Sequence, residues 1–357
     1  MKSENEKMPR LDRITRQKEI KTMTDIMVSI CCTAYNHENY IEDAIESFLM
    51  QKTNFPVEII IHDDASTDKT VEIINLYQSK YPDIIKPVFQ LENQYSKGIK
   101  ILSTYIWPKA RGKYIALCEG DDYWIDPHKL QKQVDYMEKD NECRLCFHST
   151  KVVLDNKVET GILIKPHNEN IIFTSEEIIN MSGYFHTSSL MFQKKDVESL
   201  PDFYLRASVG DYPLALFLTS KGYAYYINEI LSAYRTMVPG SWTTRTIVNG
   251  NIGSRIKNYQ DVISILEGFN KYSDKKYEKY IDKVILKLEI DILILKKDRK
   301  RLKEPKYQEY LNTVSAIGRL RIFMKLNFPI LYPKIIKKSY RINAYVYKIK
   351  YFWNFKI

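Results

Sequence analysis

Two stretches of this chain crowd carboxylates together: His62-Asp63-Asp64, and Glu119-Gly120-Asp121-Asp122. Each closes a run, Val57–Ile61 (apolar but for Glu58) and Tyr114–Cys118, that reads as a buried strand. The acids therefore emerge where the chain leaves its core. Burying such a group unpaired costs several kcal/mol, and neighbouring like charges raise that cost. Three arrangements offset it: a hard divalent cation, a proton shared in an acid/base pair, or helix capping. For one Asp-Asp pair alone, capping is the better account, with Asp122 capping the turn before Pro127 and the other acids solvated. Two clusters at two strand ends favour a metal. Mg²⁺ and Mn²⁺ take oxygen ligands and keep only one or two protein carboxylates, the remainder being waters and substrate phosphates.

The elements that would place these acids follow from periodicity. Residues 26–34, rich in β-branched residues and cysteine, predict a buried strand. Ile41, Ala44, Ile45, Phe48 and Leu49 fall at helical spacing over 39–51. Residues 57–64 predict a second strand. A helix follows, capped by Ser66 or Thr67 with Asp68 in its first turn, and ended by Pro82. Residues 84–90 predict a third strand, 98–110 a helix, 113–122 a strand and 127–140 a helix. Strand–helix alternation with short connections predicts an α/β sheet of parallel strands, whose ligands bind at the carboxyl ends. Both acidic clusters lie at carboxyl ends.

Beyond residue 143 the pattern changes. Residues 143–154 and 158–164 predict a hairpin, 175–181 a short helix, 187–194 a strand and 211–222 a helix. Strands are predicted at 223–228 and 231–236, and amphipathic helices over 251–315.

Composition bounds the remaining choices. The 357 residues, with 44% hydrophobic side chains, suffice for a large core and an appendage. Five cysteines, an odd number mostly in apolar runs, predict buried thiols in a reducing compartment. Cys143-x-x-Cys146 stands without a second pair or a suitably spaced His, so zinc is not expected. No apolar run reaches 18 residues, and the polar start lacks the core of a secretory signal. The expected location is cytoplasmic, peripheral on the inner face of the cell membrane. Glu309 is the last acid, and the ten cations beyond it equal the net charge of +10. The basicity thus belongs to the tail, which interleaves cations with aromatics. An anionic membrane surface bound through 316–357 is one reading, and a basic subdomain packed on the core is another.

The succession "VSICCTAYNHENYIEDAIESFLMQ", "VEIIIHDDASTDKT" and "ARGKYIALCEGDDYWIDPHKLQKQV" resembles the inverting glycosyltransferases of family 2, over roughly residues 25–245. The resemblance implies a GT-A fold, a Rossmann-like mixed sheet flanked by helices, here with a C-terminal helical basic extension. It divides the chain into a polar extension (1–24), a catalytic domain (25–142 for the nucleotide-sugar, 143–245 for the acceptor) and a helical basic region (246–357). By the same resemblance Thr33 and Tyr35 touch the nucleoside and Asp64 binds the base, usually uracil. An ionised Asp accepts from the imide N–H of uracil or N1–H of guanine and opposes cytosine N3. Asp122 matches the metal ligand and Asp121 the ribose or sugar contact. Glu119 stands where many members carry Asp. Asp211, after Gly210, matches the general base, although a helix N-terminal role suits it equally.

Arg235 is placed near the diphosphate, while His186 and Trp242 are candidate acceptor contacts and Arg111 a candidate donor contact. For these the structural alternatives (core histidine, buried aromatic, surface cation) stay open. The implied activity is single-sugar transfer from a nucleotide-sugar, UDP-linked by expectation, to a glycan or lipid-linked acceptor. Mn²⁺ or Mg²⁺ is the expected cofactor, and assembly of capsule, O-antigen or lipooligosaccharide the expected setting. A nucleotidyltransferase shares the core but normally has a glycine-rich loop after the first strand, and "TAYNHENY" contains no glycine. A nucleic-acid-binding protein using the basic tail would leave the acidic clusters unexplained, so no nucleic acid is expected.

Overall fold

The computed structural model describes residues 25–241, 243–244 and 251–328. The 1–24 extension, Trp242 and the tail from 329 onward lie outside the described residues. In chain order the elements are β1 (Val28–Ala34), α1 (Ile41–Leu49), β2 (Val57–Asp63), α2 (Thr70–Lys80), β3 (Ile85–Phe89), β4 (Tyr114–Glu119), β5 (Tyr123–Trp124) and α3 (Lys129–Met137). There follow β6 (Cys143–Leu154), β7 (Glu159–Ile164), β8 (Ile171–Phe173), α4 (Ser175–Ile178), β9 (Met191–Gln193), α5 (Asp202–Leu205), α6 (Asp211–Thr219) and β10 (Tyr223–Thr236). Helices α7 (Ile252–Tyr272), α8 (Glu278–Lys296), α9 (Pro305–Thr313) and α10 (Ala316–Asn327) complete the described chain.

The chain divides into two units. The first takes residues up to Phe147, Thr187–Ser199 and Ile230–Ser232; the second takes His148–His186, Leu200–Glu229 and the residues from Ala233. Strands β6 and β10 each run from one unit into the other.

In the first unit β3, β2, β1 and β4 lie side by side and parallel, as the alternation requires. β9 then pairs antiparallel with β4, and the first half of β6 pairs antiparallel with β9. The sheet is therefore mixed. β1 and β4 are buried along almost their whole length, which is why both read as unbroken apolar runs rather than alternating ones. Pro87 lacks a backbone donor and is tolerated because β3 is the outermost strand of this order. Helix α1 buries the five apolar residues whose spacing predicts it. The helix expected over 98–110 is not regular: Gly98 turns left-handed at φ 79°, residues 102–106 form a wide π turn, and a 3₁₀ turn spans 107–109. Pro108 accounts for part of this, since its ring and missing N–H disrupt an α-helical ladder. All five cysteines are buried free thiols, as expected.

In the second unit the latter half of β6 pairs antiparallel with β7, with a bulge at Val152/Val153, and β10 pairs with β8. Val152, Ile162, Ile164 and Tyr234 form a small core there. The two strands expected over 223–236 are one continuous strand. Helices α7 and α8 close against each other, with Phe269 and Tyr277 stacked at 5.5 Å. Gly268 lets α5 approach α7, because a Cβ there would sit 2.6 Å from Phe203 Cβ. Among the described residues no helix is long and apolar enough to cross a membrane.

Candidate active site

The topology itself marks a crevice. From β1 the chain crosses to β2 and then β3 on one side, and returns to β4 on the other. The carboxyl ends of β1 and β4 therefore flank the point where strand order reverses, the usual ligand position in an open α/β sheet. In register, Thr33 lies beside His62 of β2 and Glu119 of β4. Backbone bonds tie the three strand ends together: Asp64 N–H donates to Ala34 O at 2.9 Å, and Gly120 N–H to Thr33 O at 2.8 Å.

The loops after β1 and β2 are locked to each other by side chains. Asn36 N–H donates to Ser66 Oγ (2.8 Å), His37 N–H to Thr70 Oγ1 (2.8 Å) and Glu38 N–H to Asp68 Oδ2 (3.0 Å). In return Thr67 N–H donates to Asn36 Oδ1 (2.9 Å) and Lys69 N–H to Glu38 Oε2 (3.1 Å). Asp68, rather than Ser66 or Thr67, holds the start of α2 by accepting from Thr70 N–H at 3.0 Å. Gly120 is required beneath this platform, since a Cβ would lie 2.9 Å from His37 Nδ1 and from Ile41 Cδ1.

The acids divide into two groups. Asp63 accepts from Ser66 N–H (2.9 Å) and Ser66 O–H (2.5 Å). Asp64 accepts from the backbone N–H groups of Gln94 (2.8 Å) and Tyr95 (3.0 Å), one on each oxygen. Asp64 thus orients the 93–97 turn, and each oxygen keeps a second lone pair. The second cluster is arranged otherwise. Asp122 is fully buried and Asp121 nearly so. Asp122 N–H donates to Glu119 O at 3.0 Å, closing a tight turn. Carboxylate oxygens of Glu119 and Asp122 come within 4.8 Å of each other. His37 Nε2 lies 4.0 Å from Asp121 Oδ2. Just before α3, which has no side-chain cap, Asp126 accepts from His128 N–H at 2.7 Å. Two hard oxygen donors this close fit one Mg²⁺ or Mn²⁺. Tyr35, at the end of β1, is 46% exposed, leaving a ring face for a base or sugar.

Behind the acidic turn lies a buried polar cluster that the sequence does not disclose. Trp124 Nε1 donates to Ser188 O (2.9 Å), and the Trp124 edge packs on Phe48 at 4.9 Å. Lys129, fully buried, sets Nζ 4.0 Å from the Trp124 ring centroid and donates to Gln133 Oε1 at 2.8 Å. Gln133 Nε2 donates to Cys146 O (3.1 Å) and Ser189 O (3.0 Å). Burial pushes the Lys129 ammonium from 10.5 down to about 7, opposed by the nearby Cys118 and Cys146. The folded value is below the unfolded one, so between about 7 and 10.5 the unfolded chain holds more protons. Stability contributed by this site therefore rises with pH across that window. Paired melting curves test it. The wild-type Tm minus that of Lys129→Met is expected to become more positive from pH 7 to 10, and a flat difference would reject the buried ammonium.

Arg111, a candidate donor contact, is paired with Glu58. It precedes β4 at the amino end, opposite the acidic turn, where its Nη2 lies 2.7 Å from Glu58 Oε2. Glu58 also accepts from Ser29 O–H (2.6 Å) and Arg111 N–H (2.7 Å). The Arg111 side chain is 60% exposed, so the ion pair contributes little. The buried hydroxyl and amide matter more, and Glu58→Ala is expected to cost about 1–3 kcal/mol in denaturant titrations with turnover of the folded protein unchanged.

The other candidates belong to the second unit. Asp211 opens α6, and its Oδ1 accepts from Tyr212 N–H at 2.7 Å. Its charge helps raise the pKa of buried Tyr204, chiefly an effect of desolvation. Asp202 begins the short helix α5. His186 is buried against Tyr234, ring centroids 4.1 Å apart, and burial pushes its pKa down to about 3, so it is neutral near pH 7. Arg235 is buried within β10. Trp242 lies outside the described residues. His37, His62 and Lys129 were not anticipated. Only the four-residue spacing of Lys129 and Gln133 on one helix hinted at the last.

A mixed sheet flanked by helices, with an acidic turn at its switch point, is the GT-A architecture of glycosyltransferases. Two solved structures share it: Staphylococcus aureus TarS 1-349 in complex with UDP-GlcNAc (TM-score 0.56, 16% identity, 91% of each chain), and the Pyrobaculum calidifontis mannosyltransferase PcManGT in complex with GDP-Man and Mn²⁺ (TM-score 0.52, 16% identity, 97% of this chain and 95% of that one). Residues 29–197 match the model of glycosyl transferase family 2, a little under half of the chain. An uncharacterised Mycobacterium tuberculosis protein is 34% identical over 215 residues, and the match spans 60% of either length. The Escherichia coli protein WfaP, a UDP-Glc:alpha-D-GlcNAc-diphosphoundecaprenol beta-1,3-glucosyltransferase, is 29% identical over 223 residues, 60% of this chain and 79% of WfaP. Bacillus subtilis TuaG, a putative teichuronic acid biosynthesis glycosyltransferase, is 28% identical over 210 residues, 58% and 79% respectively.

Proposed function

We propose that this protein is an inverting glycosyltransferase that moves one sugar from a nucleotide-sugar, UDP-linked by preference, to a glycan or lipid-linked acceptor in surface-polysaccharide assembly. The observation that carries the reading is the Glu119–Asp122 carboxylate pair at the β1/β4 switch point, on the turn that also holds Asp121. Relatives whose names state transfer to a diphosphoundecaprenol-linked sugar, or a role in teichuronic acid biosynthesis, support the acceptor class.

In this reading Thr33 and Tyr35 receive the nucleoside. Asp64 accepts from the base imide with a lone pair left over from the 93–97 turn, which favours uracil or guanine over cytosine. Asp121 holds the ribose or donor sugar by accepting from hydroxyls. Asp122, with Glu119 beside it, supplies the oxygens for Mn²⁺ or Mg²⁺. Such a cation offsets charge gathering on the departing nucleoside diphosphate. Asp211 takes the proton from the acceptor hydroxyl as that oxygen attacks the anomeric carbon. Buried Arg235 supports the diphosphate, and His186 and Trp242 serve the acceptor. A general base cannot also be a metal ligand, because coordination lowers its basicity. That separates the role of Asp211 from those of Glu119 and Asp122.

Calorimetric titration with UDP, GDP and CDP, each with and without Mn²⁺, tests the reading. Tight binding of UDP or GDP that requires Mn²⁺ is expected, followed by slow donor hydrolysis in a screen of nucleotide-sugars. Absence of diphosphate binding under all conditions would sink it, and salt-sensitive affinity for DNA or RNA in its place would favour the nucleic-acid reading.

A further inference from the structure

Helix α10 has two apolar faces, and the fold uses one of them. Ile322 is buried among Ile290, Leu293 and Ile294 of α8, Leu302, and Tyr307 of α9, with Leu326 packed against the same cluster. Lys325 Nζ lies 3.8 Å from buried Asp291 Oδ1 on that side. At 100° per residue the opposite face carries Ile317, Leu320 and Phe323, which are 67%, 59% and 53% exposed. Arg319 and Arg321, both exposed, flank this stripe on either side. A helix packed on a water-soluble core ordinarily shows polar residues outward. An outward apolar stripe bordered by cations is the pattern of a helix lying in a lipid–water interface.

Charge selects the occupant. No acidic residue follows Glu309, while ten Lys and Arg do. A second copy of the chain would set these cations against each other. A bilayer surface rich in anionic headgroups takes both the cations and the apolar side chains.

We propose that α10 docks the protein on an anionic membrane surface, with Ile317, Leu320 and Phe323 entering the headgroup boundary and Arg319 and Arg321 meeting lipid phosphates. The inference goes beyond the transfer reading and stands apart from it, because vesicle binding needs neither donor nor acceptor.

The test is co-sedimentation of the full chain with phosphatidylcholine vesicles, with and without phosphatidylglycerol. Wild-type protein is expected to bind the phosphatidylglycerol vesicles, and more weakly as salt rises. The triple variant Ile317→Ser, Leu320→Ser, Phe323→Ser should lower partitioning about tenfold or more at every salt concentration. Arg319→Gln with Arg321→Gln should weaken binding only where anionic lipid is present. All five side chains are exposed, so circular dichroism and Tm should stay at wild-type values and verify folding. Wild-type-like binding by the triple variant would overturn the proposal, as would no binding by the wild type. A wild-type oligomer that the triple variant dissociates, with vesicle binding unchanged, would assign the stripe to a second copy and overturn it equally.

Discussion

Asp122→Asn is expected to keep the fold and lose roughly a hundredfold or more of turnover at limiting Mn²⁺, a loss at least as large as that of disturbing a ligand's supporting partner. The substitution removes one charge at nearly constant volume from a fully buried position. Carboxylate oxygens of Glu119 and Asp122 lie within 4.8 Å of each other, and two ionised carboxylates at that distance repel. Removing one relieves that repulsion, so metal-free Asp122→Asn should melt no lower than wild type. The gap should reverse when Mn²⁺ and UDP are added, because ligands stabilise only the form that binds them. The combined readout is turnover against Mn²⁺ concentration, with melting curves in both conditions. Near wild-type turnover at limiting Mn²⁺ would remove Asp122 from the metal site.

Asp211→Asn separates chemistry from binding. The amide oxygen of Asn can still accept from Tyr212 N–H, the bond that Asp211 Oδ1 makes at 2.7 Å, so the start of α6 should persist. Its basicity is gone. Sugar transfer is expected to fall roughly a hundredfold or more, the usual scale for loss of a general base. Binding of UDP with Mn²⁺ should stay close to wild type by calorimetry. Loss of diphosphate binding together with a lowered Tm would reassign Asp211 to structure. Unimpaired transfer would move the base elsewhere in the chain.

Much of the fold was legible because its parallel strands are buried on both faces. Such strands read as nearly unbroken apolar stretches, as β1 and β4 do, whereas β2 carries Glu58 within its run. The less regular parts were not legible. The stretch 98–110 has helical composition, yet Gly98 and Pro108 leave it a succession of short turns. The break expected between 228 and 231 does not exist, because Glu229 and Ile230 are exposed residues within one strand rather than a turn.

By itself the sequence determined that two carboxylate clusters would stand at the ends of neighbouring buried strands, since alternation and apolar runs are local properties. It could not say which groups each carboxylate would meet. Tertiary structure decided that Asp63 and Asp64 bind loop donors, through Ser66 and through the amides of Gln94 and Tyr95, while Glu119 and Asp122 face each other. It also sent Arg111 to Glu58 at the far end of the strands, buried Lys129 behind the acidic turn, and turned Ile317, Leu320 and Phe323 outward. These outcomes depend on which segments meet in space. Hydrogen-bond satisfaction and desolvation are set by those neighbours, and the order of residues along the chain does not contain them.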